Sequence, residues 1–143
     1  MRHLSRNPCD EDVKQIEHLQ VDVMNGRKEI LGSDHPDTLT SMRHLAFTYC
    51  KQRRFDEADN LHLDILTSLA NLASTYKNQG RWDEVEKLQV DVMNGRKEIL
   101  GSDHPDTLTS IGNLESTYFN LARFEDTVNL QMDVMHRRKT KLG

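Results

Sequence analysis

LQVDVMNGRKEILGSDHPDTLTS fills residues 19–41 and, without a single change, residues 88–110. A block copied so faithfully marks a modular unit duplicated within the chain. Repeats of a few tens of residues build stacked supersecondary units in place of one closed core. A second comparison gives the length of the unit: TSLANLASTYKNQGRWDEVEKLQVDVM begins at Thr67, and TSIGNLESTYFNLARFEDTVNLQMDVM begins at Thr109, 42 residues later.

Within each unit the apolar residues are gathered rather than scattered. Leu69, Leu72, Ala73 and Tyr76, then Val85, Leu88, Val92 and Met93, fall at three- and four-residue spacings, one stripe per helix. Only three prolines and seven glycines interrupt the 143 residues, mostly at segment edges, and no stretch alternates like a strand. The fold class is therefore all-α, an α-α superhelix built from helical hairpins. A net charge of −4, with 19 basic and 23 acidic residues intermixed, offers no basic stripe for phosphates, so nucleic acid is not an expected partner. No apolar run approaches membrane-spanning length, and MRHLSRNPCDED lacks the apolar centre of a secretory signal. Cys9 and Cys50 stand apart in unlike contexts, as in a reducing compartment, and a cytoplasmic location is expected.

Taken in order, residues 1–11 read as an irregular remnant of a damaged repeat, because Pro8 interrupts any helix while the opening MRHL equals Met42 to Leu45. Residues 12–31 form a second-type helix without a good first partner: Val13, Ile16, Leu19, Val23 and Met24 match Trp82, Val85, Leu88, Val92 and Met93 in phase. Gly32 and then Asp34-His35-Pro36-Asp37 end one helix and start the next, glycine tolerating the left-handed stop and proline suiting the first turn. Hairpins then cover 36–66, 67–100 and 105–143.

The array has one irregularity. Leu88 to Met93 is followed by fifteen residues, Asn94 to Leu108, before TSIGNL, whereas Leu61 to Leu66 runs straight into TSLANL. The missing block contains both Gly and Pro, and Ala58, Leu61, Ile65, Leu69, Leu72 and Tyr76 continue in unbroken three-four spacing. The spacing predicts one helix over 55–79, about 37 Å long at 1.5 Å per residue. A fused helix prevents the chain from turning back on itself there, so a homodimer exchanging halves about a two-fold axis is one expected way to cover the apolar faces, with a kink at Thr67-Ser68 that restores monomeric packing as its rival.

The segments NLASTYKNQGRWDEVEKL (71–88), HLAFTYCKQRRFDEADNL (44–61) and NLESTYFNLARFEDTVNL (113–130), with the LGSDHPDTL linkers, resemble tetratricopeptide repeats of the 42-residue kinesin light chain type. They resemble still more the near-identical arrays of fungal proteins, where such repeats often follow a nucleotide-binding STAND module. The resemblance implies a tetratricopeptide-repeat solenoid whose first helices line a concave surface that binds a peptide or protein, as a kinesin-light-chain-like adaptor or as the sensor end of a STAND-type assembly. It places His44, Phe47, Asn71, Ser74, Lys77, Asn78, Asn113, Ser116, Phe119 and Asn120 on that surface. In light chains an asparagine just before the first-helix leucine contacts the peptide backbone, and Asn71 and Asn113 match it, with His44 in the third copy. An amide donates to a carbonyl and accepts from an N–H at once, which suits an extended ligand with variable side chains. Phe47 and Phe119 are aromatic where a solvated groove needs none, and burial against a neighbouring helix is expected for each. The other reading of the chain is a structural or self-associating fragment without a groove.

Chemistry is not expected. The two Asp-His-Pro-Asp turns look like ligand clusters, yet turn formation already accounts for them. The seven histidines form no HExxH and no close ligand pair, and there is no nucleophile elbow or glycine-rich phosphate loop. The reading is of a non-catalytic protein with no cofactor, no metal site and no catalytic residue.

Overall fold

The structure is a computed structural model that describes residues 8–142, all of them in six α-helices and their connections. In chain order these are α1 (Pro8–Leu31), α2 (Pro36–Lys51), α3 (Phe55–Asn78), α4 (Trp82–Leu100), α5 (Pro105–Asn120) and α6 (Phe124–Leu142). The chain divides into two compact units, Met1–Ser68 and Leu69–Gly143. The division falls inside α3, which runs unbroken for 24 residues across the point where the fifteen-residue block is missing. Nothing in Leu66-Thr67-Ser68 stops a helix, and the Thr67 hydroxyl bonds back to the Leu63 carbonyl at 3.1 Å, which leaves the ladder intact.

α1 begins at Pro8, so the irregular stretch expected over 1–11 is corrected for Pro8–Glu11, which are helical; residues 1–7 lie outside the described residues. Proline starts this helix instead of breaking it, because a first-turn N–H has no intrahelical partner to lose.

Each linker turn is built the same way. The Gly32 and Gly101 N–H groups bond back to Lys28 and Lys97 carbonyls at 3.0 Å, with φ near +93° and +94°. His35 and His104 then cap the following helices, each Nδ1 accepting the N–H of Asp37 or Asp106 at 3.0 Å. Proline and aspartate alone did not explain this turn; the histidine is its cap. The two copies differ at the buried threonine: the Thr107 hydroxyl donates to the Gly101 carbonyl at 2.8 Å, while Thr38, 0% exposed, has a buried hydroxyl without a partner. Thr107→Val is therefore expected to cost about 1–2 kcal/mol and Thr38→Val to be neutral or stabilising, as read by urea denaturation of the two variants.

The hairpin corners share a left-handed residue at Arg53 (φ 61°), Gly80 (φ 74°) and Ala122 (φ 58°). At each, two N–H groups return to the helix before it: Arg54 to the Tyr49 carbonyl, Arg81 to Tyr76 and Arg123 to Tyr118, at 2.8–2.9 Å, beside the shorter-range bonds from Arg53, Gly80 and Ala122. This double closure satisfies carbonyls at a helix end and requires φ > 0, which glycine adopts freely. Arg53→Gly and Ala122→Gly should each raise stability by about 1 kcal/mol, and Gly80→Ala should lower it by a similar amount, measured by thermal unfolding.

The buried apolar residues of the first unit include Met24 on α1, Leu39, Met42, Leu45 and Ala46 on α2, and Ala58, Leu61 and Ile65 on α3. In the second unit Met93, Ile111 and Leu114 form the buried centre, with Val90, Leu108, Tyr118, Leu130 and Val134 packed around it. Leu66, Leu69 and Ala73 on α3 are also buried.

Candidate peptide-binding faces

The first-type helices are positioned by a hydrogen-bonded staple that occurs twice. Gln20 on α1 accepts the Thr48 hydroxyl at 2.6 Å, Arg27 donates to Ser41 Oγ at 2.8 Å, and Glu17 receives Gln52 at 3.1 Å and Arg54 at 2.7 Å. Sixty-nine residues on, Gln89 accepts Thr117, Arg96 donates to Ser110 Oγ at 2.7 Å, and Glu86 pairs with Arg123. Long-range polar contacts of this kind fix the register of one helix on the next while leaving the helix's remaining face to solvent.

The same arginines clamp the corners. Arg54, Arg81 and Arg123 stack on Tyr49, Tyr76 and Tyr118 with centroid distances of 4.4, 4.1 and 4.7 Å, and pair with Glu57, Glu84 and Asp126 three residues on. The hydrogen bond from Arg54 holds the Glu57 carboxyl below its usual range, and burial, ahead of the nearby carboxylates, pushes the Tyr49 and Tyr118 phenols up. These groups serve the hairpin corners.

The residues singled out in the sequence lie at exposed positions of α2, α3 and α5. His44 and Phe47 on α2 are exposed in the first unit. In the second unit Asn71, Ser74, Lys77 and Asn78 on α3, and Asn113, Ser116, Phe119 and Asn120 on α5, are exposed. The aromatic expectation is corrected: Phe47 is 62% and Phe119 64% exposed, because they fall between the buried positions of their helices. Lys51 Nζ lies 5.2 Å from the Phe47 ring centroid. The Asn71 and Asn113 side-chain amides make no hydrogen bond among the described residues; only their backbone carbonyls are used, by Thr75 and Thr117. Among the described residues no three His, Cys, Asp or Glu side chains come together as metal ligands, and no helix is long and apolar enough to cross a membrane.

A feature the sequence did not reveal is a groove of about 380 Å³ in the first unit, between α1 and α2. It is walled by Ile16, Leu19 and Val23 on one side and Thr40, Ser41 and His44 on the other. Its signal was present in the register, since Ile16, Leu19 and Val23 form the apolar stripe of a second-type helix.

The chain belongs to the tetratricopeptide repeat family, whose model matches residues 11–37, 38–68 and 65–106. Its fold is similar to that of the nearly identical TPR-like repeats of Podosopora anserina, described as kinesin light chain repeats: that crystal structure aligns over 92% of this chain and 69% of its own, with 24% identity and a TM-score of 0.52. A second crystal structure of the same repeats, a methionine-substituted form, aligns over 94% of this chain and 71% of its own, with 24% identity and a TM-score of 0.46. No curated protein matches the sequence.

Proposed function

We propose that this repeat module is a non-catalytic, cytoplasmic adaptor that holds an extended peptide or protein segment on the exposed faces of its first-type helices. The observation that carries the reading is the pair of unengaged amides, Asn71 and Asn113, exposed at equivalent positions, while Thr117 and Ser110 beside Asn113 are bonded in the staple. An amide that stabilises nothing within its own chain is free to bridge a ligand's N–H and C=O. Phe47 and Phe119 add large rigid surfaces, the side-chain type enriched at binding hot spots. A kinesin-light-chain-like adaptor or the sensor end of a STAND-type assembly would both use such a surface.

The test is selection of displayed random peptides on the full chain, followed by binding of the selected peptides to an Asn71→Ala, Asn113→Ala double variant. Loss of at least tenfold in affinity, with helical content unchanged, is the expected result. Undiminished binding would refute the assignment of these residues.

A further inference from the structure

The two Asp-His-Pro-Asp turns take no part in the proposed binding face, and each seats an imidazole as a hydrogen-bond acceptor. His35 Nδ1 receives the Asp37 N–H and His104 Nδ1 the Asp106 N–H, both at 3.0 Å. The two caps share one backbone geometry, φ −68° with ψ 139° and φ −64° with ψ 140°. Pro36 and Pro105 follow and carry no N–H, so the N–H held by the histidine is the first donor of each helix. An imidazole nitrogen accepts only while it carries no proton; in the imidazolium both ring nitrogens are donors. Serine, threonine, asparagine and aspartate, the commoner caps, accept throughout the neutral range, whereas histidine changes charge between about pH 5 and 8. The same residues also anchor the seam between helices. Arg27 donates to the Asp37 carbonyl at 3.1 Å and to Ser41 Oγ at 2.8 Å, and Arg96 to the Asp106 carbonyl at 3.5 Å and to Ser110 Oγ at 2.7 Å.

We infer that His35 and His104 make the two linkers acid-sensitive latches. Protonation turns each acceptor into a donor aimed at an N–H, releases the first turn of α2 and of α5, and loosens the α1–α2 and α4–α5 seams that Arg27 and Arg96 bond. The charged groups around His35 are Asp34 and Asp37 in the turn and Arg27, Lys28 and Glu29 at the end of α1; around His104 they are Asp103, Asp106, Arg96, Lys97 and Glu98. The carboxylates favour an imidazolium and the cations oppose it. All of these carboxylates except the half-buried Asp34 are exposed, where water and salt screen them, while the cap contact and the positive end of the helix act at short range against the charged ring. The cap is complete with the imidazole neutral and lost once it is charged, so stability falls as the pH falls. Neither latch involves the Asn71 and Asn113 amides proposed to hold a peptide, and the two readings can fail separately.

The experiment follows thermal unfolding of the full chain by circular dichroism at about pH 7.5 and about pH 5.5, beside the double variant His35→Asn, His104→Asn. Asparagine offers a cap acceptor at both pH values, and the other five histidines titrate alike in both proteins. Between the two pH values the wild-type Tm is expected to fall by about 4 °C or more beyond the fall of the variant, with each single variant removing part of the difference. Equal falls, or a smaller fall in the wild type, overturn the inference. If the double variant does not fold, proton–nitrogen NMR of the unmodified chain decides. The Asp37 and Asp106 amide protons should shift together with the titration of the His35 and His104 rings, because the bond between them is lost in that step. Amide signals that stay fixed while both rings titrate overturn it as well.

Discussion

Ala46→Glu is expected to cost about 3–5 kcal/mol and to unfold most of the first unit, the range found when a buried charge is left unpaired. Ala46 and Ala58 in the first hairpin, and Ala73 and Val85 in the next, are at most 1% exposed, so these corners are closed by small apolar contacts. The last hairpin differs in sequence: Glu115 and Thr127 stand at the corresponding positions. Both are only half-buried, and the Thr127 hydroxyl turns back to the Arg123 carbonyl at 3.4 Å. The carboxylate keeps its water because α6 leaves the corner open, with Val128, Met132 and Met135 about half to two-thirds exposed. An Ala46→Glu side chain has no such exit. Glu115→Ala should instead stabilise the chain by about 0.5–1 kcal/mol through helix propensity and closer packing. Circular dichroism in urea reads both variants. Hydrogen exchange completes the test, because residues 118–130 should exchange faster than the first hairpin; slower exchange there would remove the explanation.

Leu114→Ala should cost about 2–5 kcal/mol, and Leu72→Ala clearly less, although the two leucines occupy the same place in the repeat. Leu114 is 1% exposed, as is its counterpart Leu45 at 2%, whereas Leu72 is only half-buried. The next hydroxyl position shows the same contrast: Thr48 and Thr117 are buried in the staple, and Thr75 is exposed and bonds only within its own helix at 3.3 Å. Both substitutions lie in the second unit, so their denaturation midpoints are comparable without assuming that the whole chain unfolds in one step. Equal losses would show that Leu72 is as fully packed as its counterparts, contrary to its exposure.

The sequence by itself determined the helical class, the 42-residue period and the continuity of α3. These depend on local terms: stripes at three-four spacing, glycine and proline at the stops, and their absence where fifteen residues are missing. It also put His44, Asn71 and Asn113 between the apolar stripe positions of their helices, and all three are exposed. What it could not give were features that depend on which neighbour is present. The identical blocks at 19–41 and 88–110 end in different surroundings, so Leu19 is open while Leu88 is half-covered, and Thr38 lacks the partner that Thr107 has. The exposure of Phe47 and Phe119 belongs with these features, because how far an aromatic side chain is buried depends on what packs over it. The left-handed corners at Arg53 and Ala122 carry no glycine to announce them, and closure of the hairpin imposes their geometry. Local chemistry sets each unit, and tertiary structure decides which of its faces meets a neighbour, because burial is a property of pairs and not of single helices.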